Sequence, residues 1–198
     1  MTATSPPRDR DRQAVYDVEE AAFAGTVFAE PVPFHDAAAL LDDFCARSWW
    51  AARLLARPTA LPTRRDSLRS YAASGPAGPS VHLSPEGCSV AVVAHELAHL
   101  LVDDLGAAVD AEPAHGPAFR RAVVVLAGAL MGAAAGDRLA SGFLTAGLAL
   151  GPEPAGIPPA TGRGHWAAWR AARIRDAARR PAGGAIALPA PTSTATPS

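Results

Sequence analysis

Apolar residues along most of the chain recur at intervals of three and four, which is the period of an amphipathic helix. This pattern predicts helices over residues 13–23, 35–56, 89–102, 118–135 and 139–150. Prolines and glycines separate two short runs, 67–72 and 80–84, which predict strands. Helices combined with a small sheet correspond to an α+β fold, expected here as a single domain over residues 13–150.

The two ends of the chain differ in composition from this predicted domain. Residues 1–12 alternate arginine with aspartate and predict a flexible N-terminus. Residues 151–164 contain four prolines and four glycines and predict a linker, whereas residues 165–180 favour a basic helix. Residues 181–198 are rich in proline, threonine, serine and alanine, so we expect a disordered tail.

Composition excludes several classes of protein. The chain has 198 residues, 49% of them hydrophobic, which is enough for a packed core, and its formal net charge is -1. All 18 basic residues are arginine. Two cysteines, Cys45 and Cys88, are too few for a disulfide scaffold or a four-cysteine zinc ribbon. The first residues contain no apolar signal core, which predicts a cytoplasmic protein.

The longest apolar run, residues 122–136, has glycines four residues apart, a pattern seen where membrane helices touch. Its length argues against a membrane helix, because fifteen residues rise about 22 Å against roughly 30 Å of hydrocarbon. Asp137 and Arg138 then interrupt it. We therefore expect no integral membrane segment, but a core helix whose glycines let the helix over 89–102 approach closely.

Three polar residues, His95, Glu96 and His99, interrupt the otherwise apolar helix predicted over 89–102. At about 100° per residue they share one face, and imidazoles one turn apart can bind one metal ion while the glutamate faces its water. The alternative is a pair of core histidines bonded to backbone carbonyls with Glu96 as their ion partner. Burying three ionisable groups without a metal is costly, so a metal site is favoured.

A catalytic zinc ion requires three protein ligands and one open position. His115 lies sixteen residues after His99, in Ala-His-Gly-Pro-Ala-Phe. The loop over 103–114 is long enough to bring the chain back, which favours His115 as the third ligand. The alternatives that remain are Asp103, Asp104 and Asp110.

These motifs resemble the zincin class of metallopeptidases, and within it the SprT-like proteins, in which His-Glu-x-x-His precedes a His-Gly that opens a helix. Arg-Asp-Arg-Gln-Ala-Val-Tyr at 10–16, His-Glu-Leu-Ala-His at 95–99 and His-Gly-Pro-Ala-Phe at 115–119 further resemble a family of metallohydrolases from GC-rich bacteria with no assigned substrate. The resemblance covers residues 10–150. It implies a zincin-like domain in which His95, His99 and His115 bind zinc and Glu96 is the base.

The sequence thus predicts a zinc-dependent metallohydrolase, specifically a metallopeptidase. In this hypothesis Glu96 takes a proton from a zinc-activated water and returns it to the leaving amine. The strand over 80–84 pairs with an extended peptide substrate, and Tyr71 and His82 are candidates for stabilising the oxyanion. The alternative is a non-catalytic, zinc-stabilised binding module with a basic C-terminal recruitment segment, which a fourth protein ligand would indicate.

The basic segment is the remaining signal in the chain. It holds Trp166 and Trp169, and five arginines between Arg170 and Arg180. Such a segment suits nucleic acid or an anionic surface. A solvated helix is the favoured interpretation of this segment. As the partner of the protein we therefore expect a peptide or protein substrate, and not nucleic acid or an anionic surface.

Overall fold

A computed structural model describes residues 9–51, 56–63, 69–85, 88–104, 113–154, 156–157 and 162–179. The helices in these ranges are α1 (Arg12–Phe23), α2 (Phe34–Cys45), α3 (Ser48–Ala51), α4 (Val90–Asp104), α5 (Pro117–Met131), α6 (Ala133–Thr145) and α7 (Gly164–Arg179). The strands are β1 (Thr59–Pro62), β2 (Tyr71–Gly75) and β3 (Gly78–Leu83). The α+β class predicted from the sequence is confirmed. The predicted N-terminal segment up to residue 8 and the tail over 181–198 lie outside the described residues.

The sheet has the strand order β1-β3-β2, so β3 is its central strand. β3 pairs in parallel with β1 and antiparallel with β2, with His82 opposite Tyr71. The run predicted as a strand over 80–84 is therefore bonded on both sides, and the expectation that it pairs with a substrate peptide is wrong. In the described part of the chain β1 and β2 lie at the two edges of the sheet, and β2 packs against α4.

The helix predicted over 35–56 is broken. α2 ends at Cys45, where the N–H of Ala46 still bonds to the carbonyl of Asp42, and a single turn, α3, follows. The break turns the chain so that Trp49 contacts the edge of the Phe44 ring at 5.4 Å between centroids, while Trp50 is buried. Burial of these aromatic rings outweighs continuation of the helix.

The helix predicted over 118–135 is also divided, because Gly132 has a φ of 105° that a helix cannot contain. α6 then turns back along α5. A Cβ on Gly136 would lie 2.9 Å from the carbonyl oxygen of Val124 and 3.2 Å from the Cα of Gly128. These glycines therefore allow α6 to approach α5, and the expectation that they serve the helix carrying His95 is wrong.

The core lies where α4 packs between the sheet and α5, and α1 covers α6. One face of α4 buries apolar side chains against apolar side chains of α5. The buried apolar residues of these two helices, all at most 1% exposed, include Val93, Leu97, Leu101, Phe119, Leu126 and Leu130. In the described part of the chain, none of the helices has the length and apolar composition needed to cross a membrane.

The basic segment forms the predicted helix, but it is not wholly solvated. Trp166 at the start of α7 is 6% exposed and stacks on Trp169. The buried His165 lies between Asp43 on α2 and Arg47 in the turn that follows α2. Its Nε2 is 2.9 Å from Asp43 Oδ2, and Arg47 donates a hydrogen bond to its Nδ1. α7 therefore packs onto the same core as α2 and α5.

Replacing Gly136 by alanine should destabilise the fold, because the added methyl group meets the backbone of α5 and the two helices must separate. We expect the free energy of unfolding to fall by about 1–3 kcal/mol, measured by urea denaturation. Gly75→Ala is the matched control, because a Cβ there meets nothing within 4 Å. Equal stability of the two variants would contradict close packing of α6 on α5.

Candidate metal centre

The first two histidines of the centre are placed by the start of α4. Ser89 precedes the helix, and its Oγ accepts a hydrogen bond from the backbone N–H of Val92 at 3.3 Å, which is the geometry of an N-cap. From this start, one turn of regular helix brings the rings of His95 and His99 to 5.0 Å between centroids. His95 is buried and His99 is half-buried.

The third histidine reaches the same point from the other side. A turn in which the N–H of Gly116 bonds to the carbonyl of Pro113 precedes α5 and presents His115 to α4. The Nε2 atoms of His115 and His95 lie 3.3 Å apart. One ring nitrogen from each of His95, His99 and His115 lies within 4.8 Å of the others. These three histidines are therefore positioned to bind a metal ion.

The outer nitrogens of two of these rings face carboxylates. The Nδ1 of His95 lies 2.9 and 3.0 Å from the two carboxylate oxygens of Glu19, and the Nδ1 of His115 lies 2.5 Å from Asp9 Oδ2. A neutral ring that donates its Nδ1–H to a carboxylate leaves the Nε2 lone pair for a metal. With both rings in this tautomer, their Nε2 atoms, 3.3 Å apart, form a donor set that fits a metal ion.

Asp9 and Glu19 contact the histidines of the candidate centre, and sequence reasoning missed both. They lie 106 and 76 residues from the histidines they contact. Their only sequence signal is that they flank the stretch over 10–16 on which the family resemblance rests. Among 19 acidic residues in the chain, nothing local distinguishes these two.

Aromatic rings enclose the histidines. Phe119 contacts all three rings, with centroid distances of 4.9, 4.5 and 4.7 Å to His95, His99 and His115. The centroid of the Tyr16 ring lies 5.4 Å from the ring centroids of both His95 and His115. Rings packed in this way have few alternative rotamers, so the imidazoles are held in place before a metal binds.

A buried arginine connects the chain segments that meet at the centre. Arg120 is 3% exposed and donates hydrogen bonds to the carbonyl of His115 at 2.9 Å, to Asp11 at 2.8 Å and to the carbonyl of Ala149 at 2.7 Å. It therefore holds His115 at the start of α5 and attaches the N-terminal segment that carries Asp9.

Burial shifts the proton affinities of the centre. It raises the pKa of Glu96 to about 7, against the opposing effects of the His95 charge and of a backbone N–H of Ala72 that donates to the carboxylate. It lowers the pKa of His99 to about 3 and also lowers the pKa of His115. Burial acts on His95 in the same direction, but the Glu19 charge and hydrogen bond outweigh it and raise that pKa. His99 and His115 therefore favour the neutral form that metal binding requires.

A cleft with a volume of about 440 Å³ opens beside Glu96 and His95. Its walls come from α1, from residues 69–70 just before β2 and from the first turns of α4. They combine apolar side chains such as Phe23 and Val92 with polar groups such as Tyr16. Glu96 therefore borders an open cleft.

The other residues considered from the sequence lie elsewhere or outside the description. Asp103 is exposed and accepts a hydrogen bond from Ser74 Oγ at 3.1 Å, while the side chain of Asp104 and all of Asp110 lie outside the described residues. Tyr71 and His82 stack on each other at 4.2 Å. Among the described ring contacts, neither touches the three histidines.

Comparison with models of protein families, with curated proteins and with solved structures gave no match. What the fold and the site define is an α+β protein whose helix α4 and following turn hold three histidines in position for one metal ion.

Removing the third histidine should abolish stoichiometric metal binding. We expect His115→Ala to purify with far less than one metal ion per chain, measured by elemental analysis, because two imidazoles alone hold the ion weakly. His35→Ala is the control, because the side chain of His35 is 73% exposed. Unchanged metal content in His115→Ala would contradict the three-histidine centre.

Glu19 should matter for metal affinity without being a ligand. Glu19→Gln keeps the size of the side chain but weakens the acceptor for the Nδ1–H of His95, so we expect the metal dissociation constant to rise about 10–100-fold. Competition with a chromogenic chelator measures it. Asp17→Asn on the exposed side of α1 is the control, and an equal effect in both variants would show that only the general negative charge of α1 matters.

Proposed function

We propose that this chain is a zinc-dependent hydrolase with a zincin-like fold that cleaves peptide bonds. The observation that carries the proposal is the meeting of three imidazoles within 4.8 Å, with the buried Glu96 next to one of them in a cleft. Three protein ligands are the number found at catalytic zinc sites, whereas structural sites use four. Glu96 adds the base that such a site needs.

His95, His99 and His115 would hold the zinc ion. When bound by three imidazoles, zinc lowers the pKa of a coordinated water to about 7 and polarises a carbonyl group. Asp9 and Glu19 keep two of the rings in the tautomer that leaves Nε2 free to bind. Phe119 keeps water away from the apolar side of the rings.

Glu96 acts as the general base and acid of the reaction. Its carboxylate lines the cleft beside His95 and takes a proton from the attacking water. It then passes this proton to the nitrogen of the leaving amine. The backbone N–H of Ala72 keeps the carboxylate next to the edge strand β2.

β2 is the strand that we propose as the docking edge for an extended substrate. It belongs to the sheet only through β3 in the described part of the chain, it lies against α4, and residues just before it line the cleft. A peptide added to this edge would run past Glu96. This role replaces the one expected for residues 80–84.

The test separates chemistry from metal binding by replacing one atom of the base. We expect Glu96→Gln to keep one zinc ion per chain and to lose about 10²–10⁴-fold of the hydrolysis of fluorescein-labelled casein or of a mixed fluorogenic peptide library. Glu153→Gln, on an exposed residue outside the centre, is the matched control.

Two outcomes would contradict the proposal. Hydrolysis that persists in Glu96→Gln removes Glu96 from the reaction. A zinc-loaded wild type that hydrolyses neither probe, and whose zinc shows a fourth protein ligand by X-ray absorption, supports the non-catalytic binding module instead.

A further inference from the structure

Tyr16 lies at the metal centre, although neither metal binding nor the base requires it. Its ring on α1 contacts the rings of His95 and His115 at 5.4 Å, and its side chain lines the cleft that also contains Glu96. Tyr16 thus borders both the histidines of the candidate centre and the cleft, so it would be next to a substrate bound in the cleft.

In the part of the chain that the structure describes, the hydroxyl hydrogen of Tyr16 has no acceptor. Nε of Arg12 lies 3.3 Å from Tyr16 Oη, and because a guanidinium can only donate, the tyrosine oxygen must accept. The hydroxyl hydrogen is then left for another acceptor. Within the described part of the chain, no acceptor for it is found.

Arg12 makes two contacts with Tyr16, a hydrogen bond to its hydroxyl group and a cation–π contact with its ring. Besides the hydrogen bond, its guanidinium carbon lies 5.4 Å from the centre of the Tyr16 ring. In the described part of the chain it forms no salt bridge within 4.0 Å. Its positive charge therefore polarises the Tyr16 hydroxyl and makes it a stronger donor.

We propose that Tyr16 is a catalytic residue that donates a hydrogen bond to the scissile carbonyl oxygen, and that Arg12 is the positioning residue behind it. This inference rests on the proposed function. As the water oxygen adds to the carbonyl carbon, the carbonyl electron pair moves onto its oxygen, which becomes the acceptor for Tyr16. Glu96 takes the proton of the water and delivers it to the nitrogen as the C–N bond breaks, and Tyr16 keeps its own proton throughout.

This assignment fills the role for which Tyr71 and His82 are the sequence candidates. Those two side chains stack on each other, and Tyr71 is 47% exposed. Tyr16 is the tyrosine next to the ligands. A donor placed before the reaction stabilises negative charge where it develops, so its effect belongs to the transition state.

The first experiment uses Tyr16→Phe in the zinc-loaded full chain, with Ser141→Ala as the control, which removes an exposed hydroxyl on α6 that does not line the cleft. The phenylalanine keeps the ring packed on His95 and His115 and removes only the hydroxyl. We expect kcat on the fluorogenic peptides to fall about 10²–10³-fold, with KM and zinc content little changed.

The second readout does not depend on turnover. Isothermal titration calorimetry measures the affinity for a phosphinic pseudopeptide, whose tetrahedral phosphinate mimics the oxyanion, and for the matched unmodified peptide in a Glu96→Gln background. Tyr16→Phe should weaken the phosphinate by a factor similar to the loss in kcat and leave the unmodified peptide within about threefold. Equal weakening of both ligands would show a purely structural role and overturn the proposal.

Arg12 is tested through its dependence on Tyr16. We expect Arg12→Gln to lower kcat about tenfold in the wild type and to have almost no further effect in the Tyr16→Phe background, because it acts through the hydroxyl. Arg12→Lys, which keeps the charge, should recover part of the loss. Independent, multiplying effects of the two substitutions would remove Arg12 from this role.

The failure of this inference differs from the failure of the proposed function. A wild type that hydrolyses the peptides and binds the phosphinate, with Tyr16→Phe unchanged in both, overturns the role of Tyr16 alone. A wild type that does neither overturns the hydrolase proposal and this inference with it.

Discussion

The structure depends on the meeting of His115 with two histidines of α4 inside an apolar core. A cluster of imidazoles beside a buried glutamate is unfavourable in such surroundings unless each polar atom has a partner. On the outer side, carboxylates are the partners of the His95 and His115 rings. On the inner side, one nitrogen of each of the three rings faces the point where a metal ion would be its partner. The same apolar environment lowers the pKa of His99 and so favours its neutral, ligating form.

The N-terminal segment is what makes this arrangement possible. It supplies Glu19 for His95 and Asp9 for His115, and Asp11 for the buried Arg120 that also holds the backbone of His115. α1 in turn packs on α6. Geometry at the centre and stability of the helical layer are therefore linked, and a change in the packing of α1 reaches the histidines through their hydrogen bonds.

Helical periodicity predicted the elements of this chain better than it predicted where they end. α1 and α4 agree with the pattern, and Ser89 caps α4. The longer predicted helices are divided, at Gly132 by a positive φ and after Cys45 by the burial of aromatic rings. Strand order was not predictable, because which strand lies at an edge depends on pairing between segments and not on the apolar pattern within them.

By itself the sequence determined that His95, Glu96 and His99 share a face, because the helix period places residues one turn apart on the same side. It also identified His115 as the favoured third histidine, with aspartates left as alternatives. Only the tertiary structure decided that His115 reaches the other two and that Asp9 and Glu19 contact two of the rings. It also decided that β2 rather than β3 is an edge strand, with the residues just before β2 lining the cleft. The physical reason is range: these contacts join segments far apart in the chain, where packing sets the distances and no local repeat of residues encodes them.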